Sequence, residues 1–199
     1  LDAPLSESAM REVRHILRSA APDALAGFHS DRAILLLSGL NEFAPAVAQL
    51  VEVVGGGPVV VGPKASGLAE VPSSIRAAGA GLDAIWAWPG APRPVAADDL
   101  LPERLLVSDP EARATLLASI YDPLVKLGRD VVATLAAYLE SGRSLEGAAR
   151  SLYVHANTVR YRLGKVVAAC GWDPADPREA YVLQHALAVG RLRDAAPIA

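Results

Sequence analysis

The stretch that decides the fold of this chain is SLEGAARSLYVHANTVRYRLGKVV, residues 144–167. Ser144 can cap a short first helix, because a serine side chain accepts a hydrogen bond from an amide in the first turn. Ala148 and Ala149 then lie on one side of that helix, where their small size lets a second helix cross closely. We expect the chain to turn after the first helix and to begin a second one at about Ala156. This pattern predicts a helix-turn-helix.

The second helix of the predicted helix-turn-helix, which covers about 144–163, separates apolar from polar residues. Its apolar positions recur at helical spacing and form one stripe: Val159, Leu163, Val166, Val167 and Cys170. At about 100° per residue, the opposite face carries Asn157, Thr158, Arg160, Tyr161 and Lys165, with Gly164 among them. Arg162 falls near the buried edge, so we expect it either to reach a phosphate or to support the fold.

The polar face has side chains whose chemistry suits duplex DNA. Asparagine can pair with adenine, arginine can pair with guanine, and a threonine methyl group can meet thymine. Since recognition helices contact bases near their N-terminal end, Asn157 and Arg160 are expected to touch base edges. Lys165 and Arg150 are expected to contact phosphates, and His155 is expected to cap the helix or contact a phosphate. The predicted DNA-contacting set is Ser144, Arg150, His155, Asn157, Thr158, Arg160, Tyr161, Arg162 and Lys165.

Charge is unevenly distributed along the chain. The formal net charge is −3, which by itself does not indicate a DNA-binding protein. Residues 143–165, however, hold five basic residues against one acid, Glu146. A local basic surface is what phosphate contact needs, even where the rest of a chain is acidic. Taken alone, the same run also fits a solvated helical face, so a helical protein-interaction or dimerisation module that does not bind DNA stays open as an alternative.

The N-terminal half alternates between strand and helix patterns, whereas the C-terminal half has only helical ones. The predicted elements before residue 100 are helix 6–19, strand 33–38, helix 41–54 with Asn41 as its N-cap, strand 59–61, helix 71–86 and a short edge strand around Val95. Asp109 and Asp176 each precede a proline and fit helix starts. We therefore expect an α+β protein, with a small α/β domain over 1–107 and an all-helical domain over 108–199.

The helical domain resembles a known family. The string Val154-His155-Ala156-Asn157-Thr158-Val159-Arg160-Tyr161-Arg162-Leu163 is similar to the hallmark of the C-terminal helix-turn-helix of the PucR family of bacterial regulators. Gly171, the Asp176-Pro177 pair and a closing leucine-rich helix fit the same pattern, which covers about 131–193. Ala156 departs from it, because the family often has a basic residue there. The resemblance implies a transcription regulator that binds operator DNA.

A weaker similarity extends upstream. Residues 58–106 resemble the degenerate GGDEF-like domain that precedes this helix-turn-helix in PucR and CdaR-type regulators. The resemblance implies that the 1–107 domain is a GGDEF-like spacer or dimer platform. Family members usually carry a further sensory domain, and the chain begins with Leu1 rather than Met, so we expect it to be part of a longer protein. No pattern identifies the effector ligand.

Sequence patterns of catalysis are missing. The glycine run 55–57 precedes a strand and lacks a following Gly-Lys-Ser/Thr, so it does not fit a phosphate-binding loop. No acid-bearing Gly-Gly-Asp/Glu-Glu-Phe turn occurs that could hold metal ions on a nucleotide. The four histidines lack metal-ligand spacing, and there is no Gly-x-Ser-x-Gly nucleophile turn. We expect no enzyme activity, no catalytic residue, no metal and no cofactor. Trp86 and Trp88, beside Pro89, could line a ligand pocket, but such a pair is more often part of core and domain packing, and we interpret them as packing residues.

The sequence also bears on location and assembly. Its first residues lack the basic start and apolar run of a signal peptide, and no stretch reaches the roughly 18 apolar residues that a membrane span requires. The single cysteine, Cys170, excludes an internal disulfide and suits a reducing cytosol. We therefore expect a cytoplasmic protein without membrane contact. Because one helix-turn-helix reads only a few base pairs, we also expect a homodimer or higher homo-oligomer on duplex DNA.

Overall fold

The computed structural model describes residues 7–20, 24–29, 32–38 and 43–195. The chain divides into two compact units, Leu1–Leu100 and Leu101–Ala199. The described part of the first unit combines helices with two small sheets, whereas the described part of the second unit is built from helices and their connections. This arrangement is the α+β architecture that the sequence predicted.

The first unit alternates between helices and short strands. Its described elements are α1 (Glu7–Ala20), β1 (Leu25–His29), β2 (Arg32–Leu36), α2 (Phe43–Val53), β3 (Val60–Val61), α3 (Val71–Ala84) and β4 (Val95–Ala96), with 3₁₀ turns at Leu68–Glu70, Ile85–Ala87 and Ala97–Leu100. β1 pairs antiparallel with β2, and β3 pairs parallel with β4, with Val60 opposite Val95. Asn41, the predicted N-cap of α2, lies outside the described residues.

Two small apolar clusters stabilise the first unit. One joins α1 to α2 and the other joins the end of α3 to β4: Met10, Val13, Leu17 and Leu50 in the first cluster, and Ile85, Val95 and Leu100 in the second. A Cβ added to Gly81 would lie 2.8 Å from Cγ1 of Val60, so this glycine lets α3 approach β3 closely. Arg32 donates to the carbonyl of Gly79 at 3.3 Å and pairs with Asp83, and these contacts tie β2 to α3.

The second unit packs its helices around one continuous apolar core. In chain order they are α4 (Leu101–Leu106), α5 (Pro110–Thr115), a π-helical segment (Leu116–Tyr121), α6 (Asp122–Lys126), α7 (Arg129–Glu140), α8 (Leu145–Leu152), α9 (Ala156–Cys170) and α10 (Pro177–Ala195). The core draws fully buried side chains from several of them, among them Leu116, Leu135, Val159 and Leu183. In the described ranges, no helix has the length and apolar character that crossing a membrane would need.

The run from α5 to α6 is one helix with a changed hydrogen-bond pattern. Asp109 caps its start, because its Oδ1 accepts from the amide of Glu111 at 2.9 Å. Pro123 has no amide hydrogen and so cannot donate to the carbonyl of Ser119, as an α-helix would require. The backbone widens into the π-helical segment just before this proline, where the amide of Asp122 donates to the carbonyl of Leu117. The helix therefore continues past Pro123.

The C-terminal helix α10 lies against the π-helical segment. A Cβ added to Gly190 would overlap the ring of Tyr121, so this contact requires a glycine. The Tyr121 hydroxyl donates to Asp194 at 2.7 Å, and Arg193 donates to Asp122 at 2.6 Å. The hydrogen bond from Tyr121, together with Arg193, lowers the pKa of the Asp194 carboxyl, and the same hydrogen bond raises the pKa of Tyr121.

Buried charges attach α4 to the rest of the second unit. Glu103, which is 2% exposed, accepts two hydrogen bonds from Arg178 of α10 at 2.7 and 2.6 Å. Arg104 is also buried and pairs with Asp109 at 2.8 Å. Pairing of this kind offsets the cost of removing charges from water. α4 thus packs with the helical unit, whereas the sequence placed it in the 1–107 domain; the domain assignment itself stays a prediction.

Candidate nucleic-acid interface

A three-residue turn joins α8 to α9. Ser144 caps α8, since its hydroxyl accepts from the amide of Gly147 at 3.0 Å. α8 ends at Leu152, and the residue after it, Tyr153, has a left-handed backbone with a φ of 56°. The amide of Val154 donates to the carbonyl of Ala149 at 3.0 Å, which closes the turn, and the Val154 side chain packs against the core. The position of this turn agrees with the predicted helix-turn-helix.

His155 begins the second helix of the motif. Its Nδ1 accepts from the amide of Asn157 at 3.1 Å, so the imidazole is the N-cap of α9. An accepting Nδ1 carries no proton, which places the ring proton of the neutral imidazole on Nε2. Of the two roles that the sequence left open for His155, the geometry supports the cap. The exposed ring leaves Nε2 available to a further acceptor.

The buried side of α9 is narrower than the predicted apolar stripe. Val159, Leu163 and Val166 are buried, and they hold α9 against the core. Val167, by contrast, is 38% exposed, so its predicted place in the stripe is wrong. Cys170 is half-buried, and burial raises the pKa of its thiol. The core covers only the strip of α9 that carries Val159, Leu163 and Val166, and Val167 lies beside that strip.

The opposite side of α9 gathers most of the predicted DNA-contacting residues. Asn157, Arg160, Tyr161 and Lys165 are exposed, whereas Thr158 is half-buried. Arg160 donates to Oδ1 of Asn157 at 2.6 Å. The Lys165 ammonium lies 4.7 Å from the centre of the Tyr161 ring, a cation–π contact. A shallow open depression on this face is lined by Asn157, Arg160, Tyr161, Gly164, Lys165 and Ala168.

Arg162 lies on a different side of the helix. Its guanidinium pairs with Asp130 at 2.8 Å and donates to the hydroxyl of Thr134 at 3.1 Å. Thr134 is fully buried and also donates to the carbonyl of Asp130 at 2.6 Å. Arg162 therefore ties α9 to the start of α7, so of the two roles expected for it the geometry supports the one in the fold. The sequence did not predict Asp130 and Thr134 as partners, since nothing local links residues 28 and 32 positions apart.

The two remaining members of the predicted set lie on α8 and at its start. Arg150 is exposed on α8, on the helix that precedes the turn. The Ser144 hydroxyl is engaged as the cap of α8 and is half-buried. Within the described ranges, no group of acidic, histidine or cysteine side chains has the geometry to hold a metal ion. The candidate site is therefore a helix face that carries basic side chains and an amide side chain.

Two family models match the chain. Residues 131–189 match the PucR C-terminal helix-turn-helix domain, and residues 2–84 match a GGDEF-like domain. A solved structure, the regulator of polyketide synthase expression from Bifidobacterium adolescentis, is similar with a TM-score of 0.82 and 33% sequence identity. The similarity covers 96% of this chain and 78% of that one.

Curated relatives are longer than this chain. Uncharacterized proteins of Mycobacterium tuberculosis and Mycobacterium bovis are 39% identical to it over 193 residues. That alignment covers 96% of this chain and 47% of each relative, so the chain spans about half the length of the curated relatives it matches. The two domain models match in the predicted order, and the regulator structure covers nearly the whole chain. The chain therefore belongs to the PucR family of transcriptional regulators.

Proposed function

We propose that this chain binds operator DNA as the DNA-binding part of a transcriptional regulator, with α9 in the major groove. The observation that carries the proposal is the exposed polar face at the N-terminal half of α9, which includes Asn157, Arg160 and Tyr161. A basic side chain that stabilises the fold forms an ion pair with another residue of the chain, as Arg162 does with Asp130. The exposed face instead presents donors and acceptors of the kind that base edges recognise.

Asn157 and Arg160 are the proposed base-reading pair. Their hydrogen bond of 2.6 Å uses one lone pair of the amide oxygen and leaves the other guanidinium donors available. Because each side chain restricts the rotamers of the other, less conformational entropy is lost when DNA binds. The pair is therefore expected to act as a unit.

Lys165 and Arg150 are the proposed phosphate contacts. Both are exposed, and Lys165 is held over the ring of Tyr161 by the cation–π contact. His155 can add a phosphate contact through Nε2 while its Nδ1 remains the helix cap. Such contacts position the protein on the duplex without reading its sequence.

The proposal extends to assembly and location. A single recognition helix reads only a few base pairs, so a homodimer or higher oligomer with half-sites about one helical turn apart would raise the affinity. The first unit would then serve as a spacer or dimer platform without catalysis. Binding to operator DNA requires a cytoplasmic location in a bacterial cell.

A second candidate function is a helical protein-interaction module. The observation that favours it is the exposure of two aromatic side chains, Tyr153 at 96% and Tyr161 at 66%. Tyrosine is enriched at protein–protein interfaces. The two functions differ in salt dependence, because DNA binding releases condensed counterions and weakens steeply as salt rises.

The test is fluorescence anisotropy at several salt concentrations. It compares duplex DNA from the promoter region beside the gene with a scrambled duplex of the same composition. Asn157→Ala and Arg160→Ala should each cost about 1–3 kcal/mol on the promoter duplex and little on the scrambled one. Since the two side chains are hydrogen-bonded, the double variant should lose less than the sum of the single losses.

Circular dichroism of each variant separates recognition from folding. Val159→Asp is the structural control and should unfold the motif, because it places an unpaired carboxylate in the core. If Asn157→Ala and Arg160→Ala fold normally and keep the full preference for the promoter duplex, the recognition face is assigned wrongly. Failure of the unmodified chain to bind any duplex at low salt would favour the protein-interaction module.

A further inference from the structure

Two basic side chains lie at the junction of α6 and α7. Lys126 ends α6 and Arg129 begins α7, on either side of Gly128, whose left-handed φ of 104° turns the chain. Both side chains are exposed. Neither makes a hydrogen bond or an ion pair with any residue that the structure describes. We call this pair the α6–α7 corner.

The α6–α7 corner lies beside the candidate recognition helix. Asp130, the residue after Arg129, is bonded to Arg162 of α9 at 2.8 Å, and α6 also packs against α9. At about 100° per residue from Val159, Arg162 lies at roughly 300°, close to Thr158 and Lys165 at about 240–260°. Arg160, at about 100°, lies on the other edge. The α6–α7 corner therefore flanks the edge of α9 that carries Lys165.

The geometry of a DNA duplex indicates what the Lys165 edge of α9 would contact. A helix in the major groove lies between two phosphate backbones, so each of its flanks faces one of them. Asp130 would repel a phosphate, but its charge is neutralised by Arg162. Lys126 and Arg129 therefore keep two positive charges at the α6–α7 corner, with no ion-pair partner in the described part of the chain.

From these contacts we propose that Lys126 and Arg129 form a second site for the phosphates of duplex DNA, on the flank of α9 opposite Arg160. This inference rests on the proposed function and adds a contact surface outside the helix-turn-helix. Together with Lys165, the α6–α7 corner would contact the phosphate backbone of one DNA strand, while the side chains at the centre of the exposed face of α9 contact base edges. Because phosphates carry no sequence information, the site strengthens binding to all duplexes alike.

The test uses the full 199-residue chain and a labelled random-sequence duplex of about 30 base pairs, long enough for two half-sites. Lys126→Gln, Arg129→Gln and the double variant are compared with Arg113→Gln. Arg113 is a matched control, since it is also exposed but lies on α5, which packs against α4 and the π-helical segment. Thermal unfolding should be the same for all four variants.

Each lost phosphate contact should reduce the slope of log K against log salt by about 0.9, which corresponds to about eightfold weaker binding at about 0.1 M salt. The double variant should lose about twice that slope, while Arg113→Gln should bind like the unmodified chain. The proposal is overturned if the double variant keeps the full slope, or if Arg113→Gln loses as much as Arg129→Gln.

The outcomes separate this inference from the proposed function. If Asn157→Ala and Arg160→Ala lose preference for the promoter duplex while the Lys126 and Arg129 variants bind unchanged, only the second phosphate site is rejected. If the unmodified chain binds no duplex, both proposals fail.

Discussion

Two helices of the second unit, α9 and α10, differ in how many of their basic side chains form ion pairs within the unit. α10 buries seven of its 19 residues, and its basic residues pair inside the unit, Arg178 with Glu103 and Arg193 with Asp122. α9 buries three of its 15 residues and leaves Arg160 and Lys165 at the surface. A helix with internally satisfied charges holds a domain together, and one with outward charges is free to bind a partner.

The substitution with the largest expected effect tests whether the ion pairs of α10 stabilise the fold. Glu103→Ala removes the carboxylate that accepts both hydrogen bonds from Arg178. Breaking a buried pair in this way should cost about 3–5 kcal/mol of unfolding free energy. Urea unfolding followed by circular dichroism measures the change.

The exposed pair between Glu140 and Arg191, at 3.4 Å, supplies the control. Glu140→Ala should cost at most about 1 kcal/mol, because solvent screens both charges. If Glu103→Ala costs no more than Glu140→Ala, the buried charges of α10 do not hold the unit together and the comparison fails.

Matched glycine substitutions sharpen the same comparison. Gly190→Ala on α10 should lose about 1–3 kcal/mol of unfolding free energy, since its Cβ would overlap the ring of Tyr121. Gly164→Ala on α9 has open space around it and should gain up to about 1 kcal/mol from helix propensity. Thermal unfolding measures both effects. Equal changes at the two glycines would show that the two helices do not differ in packing.

A third expectation concerns the start of α9. His155→Ala removes the cap of the Asn157 amide and should cost about 1 kcal/mol, whereas His155→Asn keeps a capping oxygen and should cost little. The measurement is thermal unfolding of both variants, with DNA affinity as a second readout. If His155 also contacts a phosphate, both variants weaken DNA binding although only one loses stability. An asparagine variant as unstable as the alanine one would contradict the cap.

The smallest expected effect depends on pH and lies at the end of α10. The lowered pKa of Asp194 means that its charged form is favoured by the folded chain. Its contribution to stability is therefore present above the ordinary aspartate pKa of about 4 and is lost as pH falls through the lower folded value. Asp194→Asn should melt slightly below the unmodified chain at a pH of about 7, and the difference should vanish once the pH has fallen through the lowered folded pKa of Asp194. A difference that stays constant with pH would mean that the Asp194 charge does not matter.

The sequence predicts those parts of the fold that local chemistry decides. Ser144 and Asp109 cap helices where their residue types favour it, and the spacing of Val159, Leu163 and Val166 marks the buried side of α9. The predicted strand at 33–38 corresponds to β2, but β1 was missed. Its sequence Leu-Ala-Gly-Phe-His has no β-branched residue, and it forms a strand because it pairs with β2.

Long-range partners could not be predicted in this way. Asp176 caps α10 as its residue type favours, since its Oδ1 accepts from the amide of Glu179 at 2.9 Å, but nothing local predicts that the Glu179 carboxylate accepts from the amide of Asp173. Glu103 and Arg178 are 75 residues apart in the sequence, and no periodic pattern connects them. The candidate site shows the same division, because the exposed face of α9 follows from helix periodicity whereas the bond from Arg162 to Asp130 depends on tertiary packing.

The attachment of α4 has a practical consequence for protein engineering. The matched helix-turn-helix model begins at residue 131, which would be a natural place to cut a portable helix-turn-helix cassette. Such a cassette would leave α10 without Glu103 and without the π-helical segment that covers Gly190. A chimeric protein that joins this helix-turn-helix to another domain should therefore be spliced before Leu101, so that it includes α4 along with the helices that follow it.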